Sequence, residues 1–544
     1  MTSSDNKLNF LIVICDDLAF GDLSMHGNRV CRTPHLDGMG DAGISLGRHL
    51  AGPLCSPSRA CLLTGRYNYR TRVVDTYCGR SVMDSTGTTL AQHLRQAGYA
   101  TGCFGKWHLG DTHPHRPEDR GFDETLWHLG GGIGQPGDHP DNYGRESYFD
   151  PVLCRNGAFE RIDGYCTDIF TNEALGFINR HHAEPWFAYV AFNAPHTPLQ
   201  VDPEATAACA ARGATGDLAS LYAMVENIDS NVGRLLAALD AGGLRENTVV
   251  VFTSDHGPCP GVRDGEGQPR FNAGLRGEKG SVYEGGIRVP CLWSGPFPSA
   301  GGAFQEPTHA IDIVPTLLGM VGVEAPQDLD GASLLPLFRG NGLEPRTVFL
   351  QWHRGDKPAP RRNATAVSAH RKWVSISEGS TGELYDVAND PGESRNLASV
   401  DPEGLDQLVK AYDAWFLDVS RPHAFAPVPI VVSDKALPLR LTRQDWRVEG
   451  ADGWDSRTKA HWVLDVRSPG VFNVALHFDE PPPARGTVSL ECGGFSFAQE
   501  SDPGRGDYEF LAELPSGETT LRARWQTDFS EGSPFAVEIT RPLS

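Results

Sequence analysis

Leu8-Asn9-Phe10-Leu11-Ile12-Val13-Ile14-Cys15-Asp16-Asp17 is the stretch from which the rest of the chain can be read. Its apolar run shows no alternation, so it predicts a strand buried on both faces, as in a parallel sheet, and it ends on two carboxylates. In open α/β sheets ligands bind just beyond that end of the strands. The pattern recurs three times. Tyr99 to Phe104 leads into Gly105-Lys106-Trp107-His108-Leu109-Gly110, Trp186 to Phe192 into Asn193-Ala194-Pro195-His196, and Thr248 to Ser254 into Asp255-His256-Gly257. Helices are predicted between them: Thr33-Pro34 to Ala42, Thr88 to Ala97 with Gly98 as the stop, and Asp168 to Arg180. Leu218, Leu221, Val225, Ile228, Val232, Leu235 and Leu239 step by three and four along one more. The fold class is α/β, a mostly parallel sheet sandwiched by helices, with one site along its C-terminal edge.

Working outward, Cys55-Ser56-Pro57-Ser58-Arg59-Ala60-Cys61-Leu62-Leu63-Thr64-Gly65-Arg66 reads as a short helix. Ser56 suits the N-cap, Pro57 the first helical position and Gly65 the end, which places Cys55 before the positive end of the dipole. Arg59 breaks the local rule, since a cation in the first turn opposes the dipole; an anion would satisfy both. Thr112 to Tyr165, rich in Gly, Pro, His and Asp, reads as loops over the sheet. The texture changes near Pro345. Thr347 to Trp352, Ala366 to Ile376 and Leu384 to Val387 read as short strands and Glu403 to Leu417 as a closing helix. Phe472, Val474, Leu476 and Phe478 alternate with polar residues, as does Leu521 to Trp525, so the C-terminal region reads as a β-sandwich-like module. The expected organisation is a catalytic α/β domain over 1–344, a small α+β subdomain over 345–420, a linker over 421–437 and the accessory β module over 438–544. Trp446, Trp454, Trp462 and Trp525 in that module are read as core packing rather than a sugar platform.

A net charge of −21 over 544 residues, with pI about 5.3, argues against nucleic acid or an anionic membrane as partner. An anionic ligand would need a local basic pocket. The 12 cysteines have no repeated spacing and fit reduced thiols better than a disulfide framework. No window is long and apolar enough to span a bilayer. Met1-Thr2-Ser3-Ser4-Asp5-Asn6-Lys7 runs directly into the first strand, so the expected location is cytoplasmic if Met1 is the native start, and periplasmic or secreted if a signal peptide has been trimmed. Asn363-Ala364-Thr365 is a sequon that matters only with export.

Asp16, Asp17, Asp255 and His256 form the candidate metal set. Adjacent carboxylates at one strand end can simply be solvated, but two such clusters at separate strand ends suit a hard cation: calcium first, then magnesium, with His256 leaving room for manganese or zinc. Lys106 and His108, taken alone, would be ordinary surface residues. His353, Arg354, Arg361 and Arg362 are either a solvated basic face or contacts to a substrate's other anionic groups. His113-Pro114-His115 and Asp138-His139 read as polar loop, and Gly130 to Gly134 lacks the Lys-Ser/Thr of a phosphate loop.

Cys55-Ser56-Pro57-Ser58-Arg59 with Thr64-Gly65-Arg66 resembles the signature of the type I, formylglycine-dependent sulfatases of the alkaline-phosphatase-like superfamily. The Gly105 to Gly110 block, Asn193 to His196, Gly277 to Gly286 around Lys279, and Gly382-Glu383-Leu384-Tyr385-Asp386 resemble further blocks of that family. The resemblance implies that Cys55 is oxidised by a formylglycine-generating enzyme and works as a gem-diol that also ligates the metal with Asp16, Asp17, Asp255 and His256. It implies that Arg59, Lys106 and Lys279 are the basic pocket and that Asp255 helps deprotonate the attacking hydroxyl. His196, with Lys279, would protonate the leaving alcohol, and His108 would then collapse the covalent sulfo-enzyme. The implied activity is hydrolysis of a sulfate ester, with a polysaccharide or oligosaccharide as substrate class. A phosphonate monoester or phosphodiester hydrolase, and an inactive glycan-binding protein, are the alternatives. Which sugar, exo or endo action, and oligomeric state stay open.

Overall fold

The computed structural model describes residues 8–297, 302–450 and 453–542. Residues 1–7, on which the reading of cellular location rests, lie outside them.

The run Asn9–Cys15 (β1) forms a strand whose every residue is buried. Phe10, Ile12 and Ile14 enter the core on one face of the sheet and Leu11, Val13 and Cys15 the core on the other, which is why the run does not alternate. β1 lies between Trp186–Ala191 and Thr248–Ser254, parallel to both. Numbered along the chain, the central strands are β1, Ala100–Lys106 (β2), Trp186–Ala191 (β3) and Thr248–Ser254 (β4), in the spatial order β4-β1-β3-β2. Glu124–His128 continues the parallel array beside β2 and is followed by two strands joined antiparallel. On the other side Cys291–Ser294 runs antiparallel to β4, and the edge strand beyond it, Gly302–Phe304, pairs in parallel with Ile44–Leu46, completing a ten-stranded sheet. Cys55–Thr64 (α1), Leu90–Gln96 and Ile313–Met320 cover one face; Pro34–Ala42, Cys166–Arg180 and Asp217–Ala241 cover the other.

Three local readings are corrected. The segment taken as loops over 112–165 carries Glu124–His128 and the antiparallel pair Val152–Arg155 and Ala158–Arg161. These strands are only four or five residues long, and the second of the pair is wholly exposed, so composition hides them. The helix α1 begins two residues earlier than expected, with Leu54 rather than Ser56 as N-cap and Cys55 rather than Pro57 as its first residue, while Gly65 ends it at φ 66°. The stretch taken as a linker over 421–437 contains Ile430–Val432, a buried strand that pairs in parallel with Ala460–Val466 of the β module.

The sheet of Thr347–Gln351, Ala364–Ser368, Arg371–Ser375 and Glu383–Asp386 is antiparallel and packs under Pro402–Ser420. Its Ala364, Trp373, Leu384, Tyr412 and Trp415 belong to the same apolar cluster as α1, so it is joined to the catalytic core. The C-terminal region is a two-sheet sandwich. Trp446, Trp462 and Trp525 are buried in its core with Val474 and Leu476, as packing rather than as an exposed platform.

Candidate active site

Because β1, β2, β3 and β4 are neighbours, the residues just past their C-terminal ends converge. The N-terminus of α1 enters the same space. Cys55 Sγ lies 3.4 Å from Asp16 Oδ1 and 3.0 Å from His256 Nε2. His256 Nδ1 is 3.3 Å from Asp17 Oδ1, and its Nε2 is 3.3 Å from Asp255 Oδ1. Lys106 Nζ donates to Asp16 Oδ2, and Lys279 Nζ donates to Asp17 Oδ1 at 2.8 Å. His196 Nε2 stands 3.6 Å from Asp17 Oδ2, and His196 and Lys279 are the two members of the group whose side chains keep some exposure.

Arg59 is fully buried, and the anion its position called for is internal. Its Nε and Nη2 both reach Asp255 Oδ2, at 3.1 and 2.9 Å, and its Nη1 donates to the Lys106 carbonyl at 3.1 Å. One guanidinium thus ties the helix to the ends of β4 and β2. Lys279 is placed by the compact turn of its Gly-rich block: at Gly286 a Cβ would stand 2.1 Å from the Ser281 carbonyl oxygen, so no other residue fits there.

The electrostatics follow from crowding charges in a dry space. Burial and the Asp16 carboxylate push the Cys55 thiol up, but Lys106, Lys279 and His256 outweigh them and bring it down to about 6. Burial opposes ionisation of Asp17 as well, yet Lys279, His196 and His256 hold it down at about 2. Burial and the neighbouring Asp16 raise Asp255 to about 7 despite Arg59. Asp255 and Cys55, working against burial, raise His256 to about 9. Burial and Lys106 hold His108 well below the usual imidazole range.

Two sets of ligand atoms, Asp16, Cys55, Asp255 and His256, and Asp16, Asp17 and His196, each lie within 4.8 Å of one another. Asp17 Oδ2 is buried with no hydrogen-bond partner among the described residues. Three buried carboxylates around an orphaned oxygen fit a hard divalent cation.

His108 has φ 60°, its Nε2 2.7 Å from the Thr76 carbonyl and its Nδ1 without a partner among the described residues. The basic residues of the subdomain divide. Arg354 pairs with Asp75 at 3.1 Å and lies over the Tyr77 ring, and His353 is buried beside it in sequence. Arg361 turns to Asp413 on Pro402–Ser420, and Arg362 is exposed. Residues that no motif singled out also build the site. Arg270, bonded to Asp22, donates to the Asp17 carbonyl at 3.0 Å, and buried Lys372 bridges Glu284 and Glu393, joining the Lys279 block to the subdomain. They are isolated side chains whose partners are distant in sequence, and no spacing marks them.

The doubly covered parallel sheet with a nucleophile and a carboxylate cluster at its C-terminal edge defines a hydrolase of the alkaline-phosphatase-like superfamily. The chain belongs to the sulfatase family and is a sulfuric ester hydrolase: the family model described as Sulfatase matches residues 8–323, and that described as N-sulphoglucosamine sulphohydrolase, C-terminal, matches 277–413. It is 30% identical to the steryl-sulfatase of Mus musculus over 80% of this chain and 85% of the relative. It is 31% identical to the N-acetylgalactosamine-6-sulfatase of Sus scrofa over 75% and 85%. A solved structure, Ps i-CgsB in complex with k-i-k-neocarrahexaose, is 30% identical and superposes with a TM-score of 0.68 over 76% of this chain and 94% of that one. Membership implies a divalent metal and a formylglycine.

Proposed function

We propose that the chain hydrolyses a sulfate ester on a carbohydrate, with Cys55 converted to formylglycine and calcium as the ion. The observation that carries the reading is the meeting of Cys55 with Asp16 and His256, flanked by Lys106 and Lys279. The carbohydrate class is supported by the relative that acts on N-acetylgalactosamine-6-sulfate by its name and by the solved structure holding a neocarrahexaose. Cys55 is only 2% exposed, so the modifying enzyme has to act on the chain before it folds.

Asp16, Asp17, Asp255, His256 and residue 55 would hold the ion, and three carboxylates beside a single imidazole favour calcium. The ion would supply positive charge to the sulfuryl oxygens, and the hydrated aldehyde would supply the attacking hydroxyl and a second one that lets sulfate leave. The chain's own residues do the rest. Arg59 holds Asp255 in place to receive the nucleophile's proton. Lys106 and Lys279 present ammonium groups to the charge that builds on the sulfuryl oxygens. His196, which is partly exposed, delivers a proton from Nε2 to the departing alcohol, since its Nδ1 is occupied by the Thr197 carbonyl at 2.6 Å. His108, with its proton on Nε2, offers Nδ1 as the base for the second hydroxyl.

The test is a panel of sulfated oligosaccharides and paired aryl sulfate and phosphodiester esters, read by sulfate or phosphate release, with the mass of the peptide containing residue 55. Sulfate release with an aldehyde at residue 55 is expected. A thiol there in fully active enzyme, or faster phosphodiester cleavage, would overturn the reading.

A further inference from the structure

The β module does more than sit beside the catalytic domain. The loop between Asp75 and Ser81 plugs into it: Cys78 is fully buried within the module's own apolar cluster, and Tyr77 meets Trp454 edge-on with ring centroids 5.0 Å apart. Gly79 N donates to the Gln444 carbonyl at 2.7 Å, and Arg447 Nη2 donates to the Gly79 carbonyl at 2.8 Å. Gly79 has φ 67°, and a Cβ there would stand 2.7 Å from the Asp445 carbonyl oxygen, so the loop and residues 444–447 touch backbone to backbone.

At Thr76 this grip reaches the active site. The Thr76 carbonyl accepts from two donors, His108 Nε2 at 2.7 Å and Gln444 Nε2 at 2.8 Å. Gln444 is 2% exposed, and its amide nitrogen also reaches Ser81 Oγ at 3.1 Å. A carbonyl only accepts, so the Gln444 amide must present its nitrogen and His108 must carry its proton on Nε2. Nδ1 is thereby left with its lone pair, which is the state a base requires.

We propose that Gln444, supplied by the appended β module, is a positioning residue for the sulfatase reaction, fixing the Thr76 carbonyl that in turn fixes the ring and tautomer of His108. The inference rests on the reading of His108 as a base. It also assigns the module a role: the family models end at residue 413, and Gln444 reaches the Thr76 carbonyl from outside them. Removing the amide donor frees a loop carbonyl that would otherwise be held from both sides, and a small shift of that oxygen turns the ring it anchors.

The full-length protein carrying Gln444→Met, which keeps the reach and loses the donor, tests this on 4-nitrophenyl sulfate. A second readout is deuterium exchange at the His108 ring C2–H, followed by mass spectrometry of its peptide. We expect kcat to fall about 10-fold or more with KM within about twofold, together with a changed exchange rate at His108. Gln444→Glu, which keeps the shape and sets an acceptor against the carbonyl, should do the same and carries both readouts if Gln444→Met is poorly soluble. Wild-type kcat and wild-type exchange would overturn the proposal, and so would a loss of kcat with unchanged exchange at His108. Wild-type turnover in His108→Ala would remove the reading beneath it, while the exchange measurement would still judge whether Gln444 sets the ring.

Discussion

Arg59→Met is the substitution whose consequence the structure defines most fully. It keeps the length of the side chain and removes three buried N–H donors, two to Asp255 Oδ2 and one to the Lys106 carbonyl. Both members of the Arg59–Asp255 pair are fully buried, and breaking such a pair by removing one partner costs about 3–5 kcal/mol. Part of that can be relieved by protonating Asp255, and this makes the effect depend on pH. Asp255 is already raised to about 7 in the fold, against an unfolded value near 3.8. A raised carboxylate binds its proton more tightly folded than unfolded, so stability falls as pH rises through that window and levels off above the folded value. Without Arg59 the folded value climbs further, and the fall continues above pH 7 in the variant after it has stopped in the parent. In chelator-treated protein the difference in urea unfolding should therefore be about 1–3 kcal/mol at pH 6, from lost hydrogen bonds alone. It should grow to about 3–5 kcal/mol near pH 8.5. With metal restored, turnover should fall at least about 100-fold as Asp255 and the end of β2 lose their tie. A variant within about 0.5 kcal/mol of the parent at pH 8.5, a limit ordinary for surface changes, would refute the reasoning.

Dialysis against a chelator should abolish turnover and lower the melting temperature, because Asp16, Asp17 and Asp255 are left facing one another, and added calcium should restore both; full activity in protein shown metal-free by elemental analysis would contradict the assigned ion site. Burial holds His26 and His115 down at about 4 and His49 and His128 at about 3. Each takes up a proton on unfolding below about pH 6.5, so stability should be complete above that pH and drop below it by up to about 1.4 kcal/mol per pH unit for each group; a urea midpoint unchanged between pH 7 and pH 5 would exclude this. Gly79→Ala forces a left-handed backbone and a clash with the Asp445 carbonyl, and should cost about 1–3 kcal/mol while loosening the β module to limited proteolysis. Parent-like proteolysis would show that the loop and the module are not locked together there.

Much of this was legible from local pattern. The buried run of β1, the carboxylates and imidazoles beyond β1, β3 and β4, and the α1 string are contiguous, and contiguous residues share one element whose period and capping show in the sequence. Glu124–His128 and Ile430–Val432 were missed because three to five residues are too few to establish a period.

By itself, then, the sequence determined that strands deliver reactive groups to one edge of a doubly covered sheet, and that a cysteine stands at the start of a helix among strings characteristic of one family. Only the tertiary structure decided that β4, β1, β3 and β2 lie side by side so that those groups meet, that the anion awaiting Arg59 is Asp255, and that Gln444 reaches Thr76. The physical reason is distance along the chain. The Arg59 and Gln444 contacts join residues 196 and 368 positions apart, and no periodicity connects them. They are chosen by which packing buries the apolar faces while leaving each buried charge and carbonyl a partner.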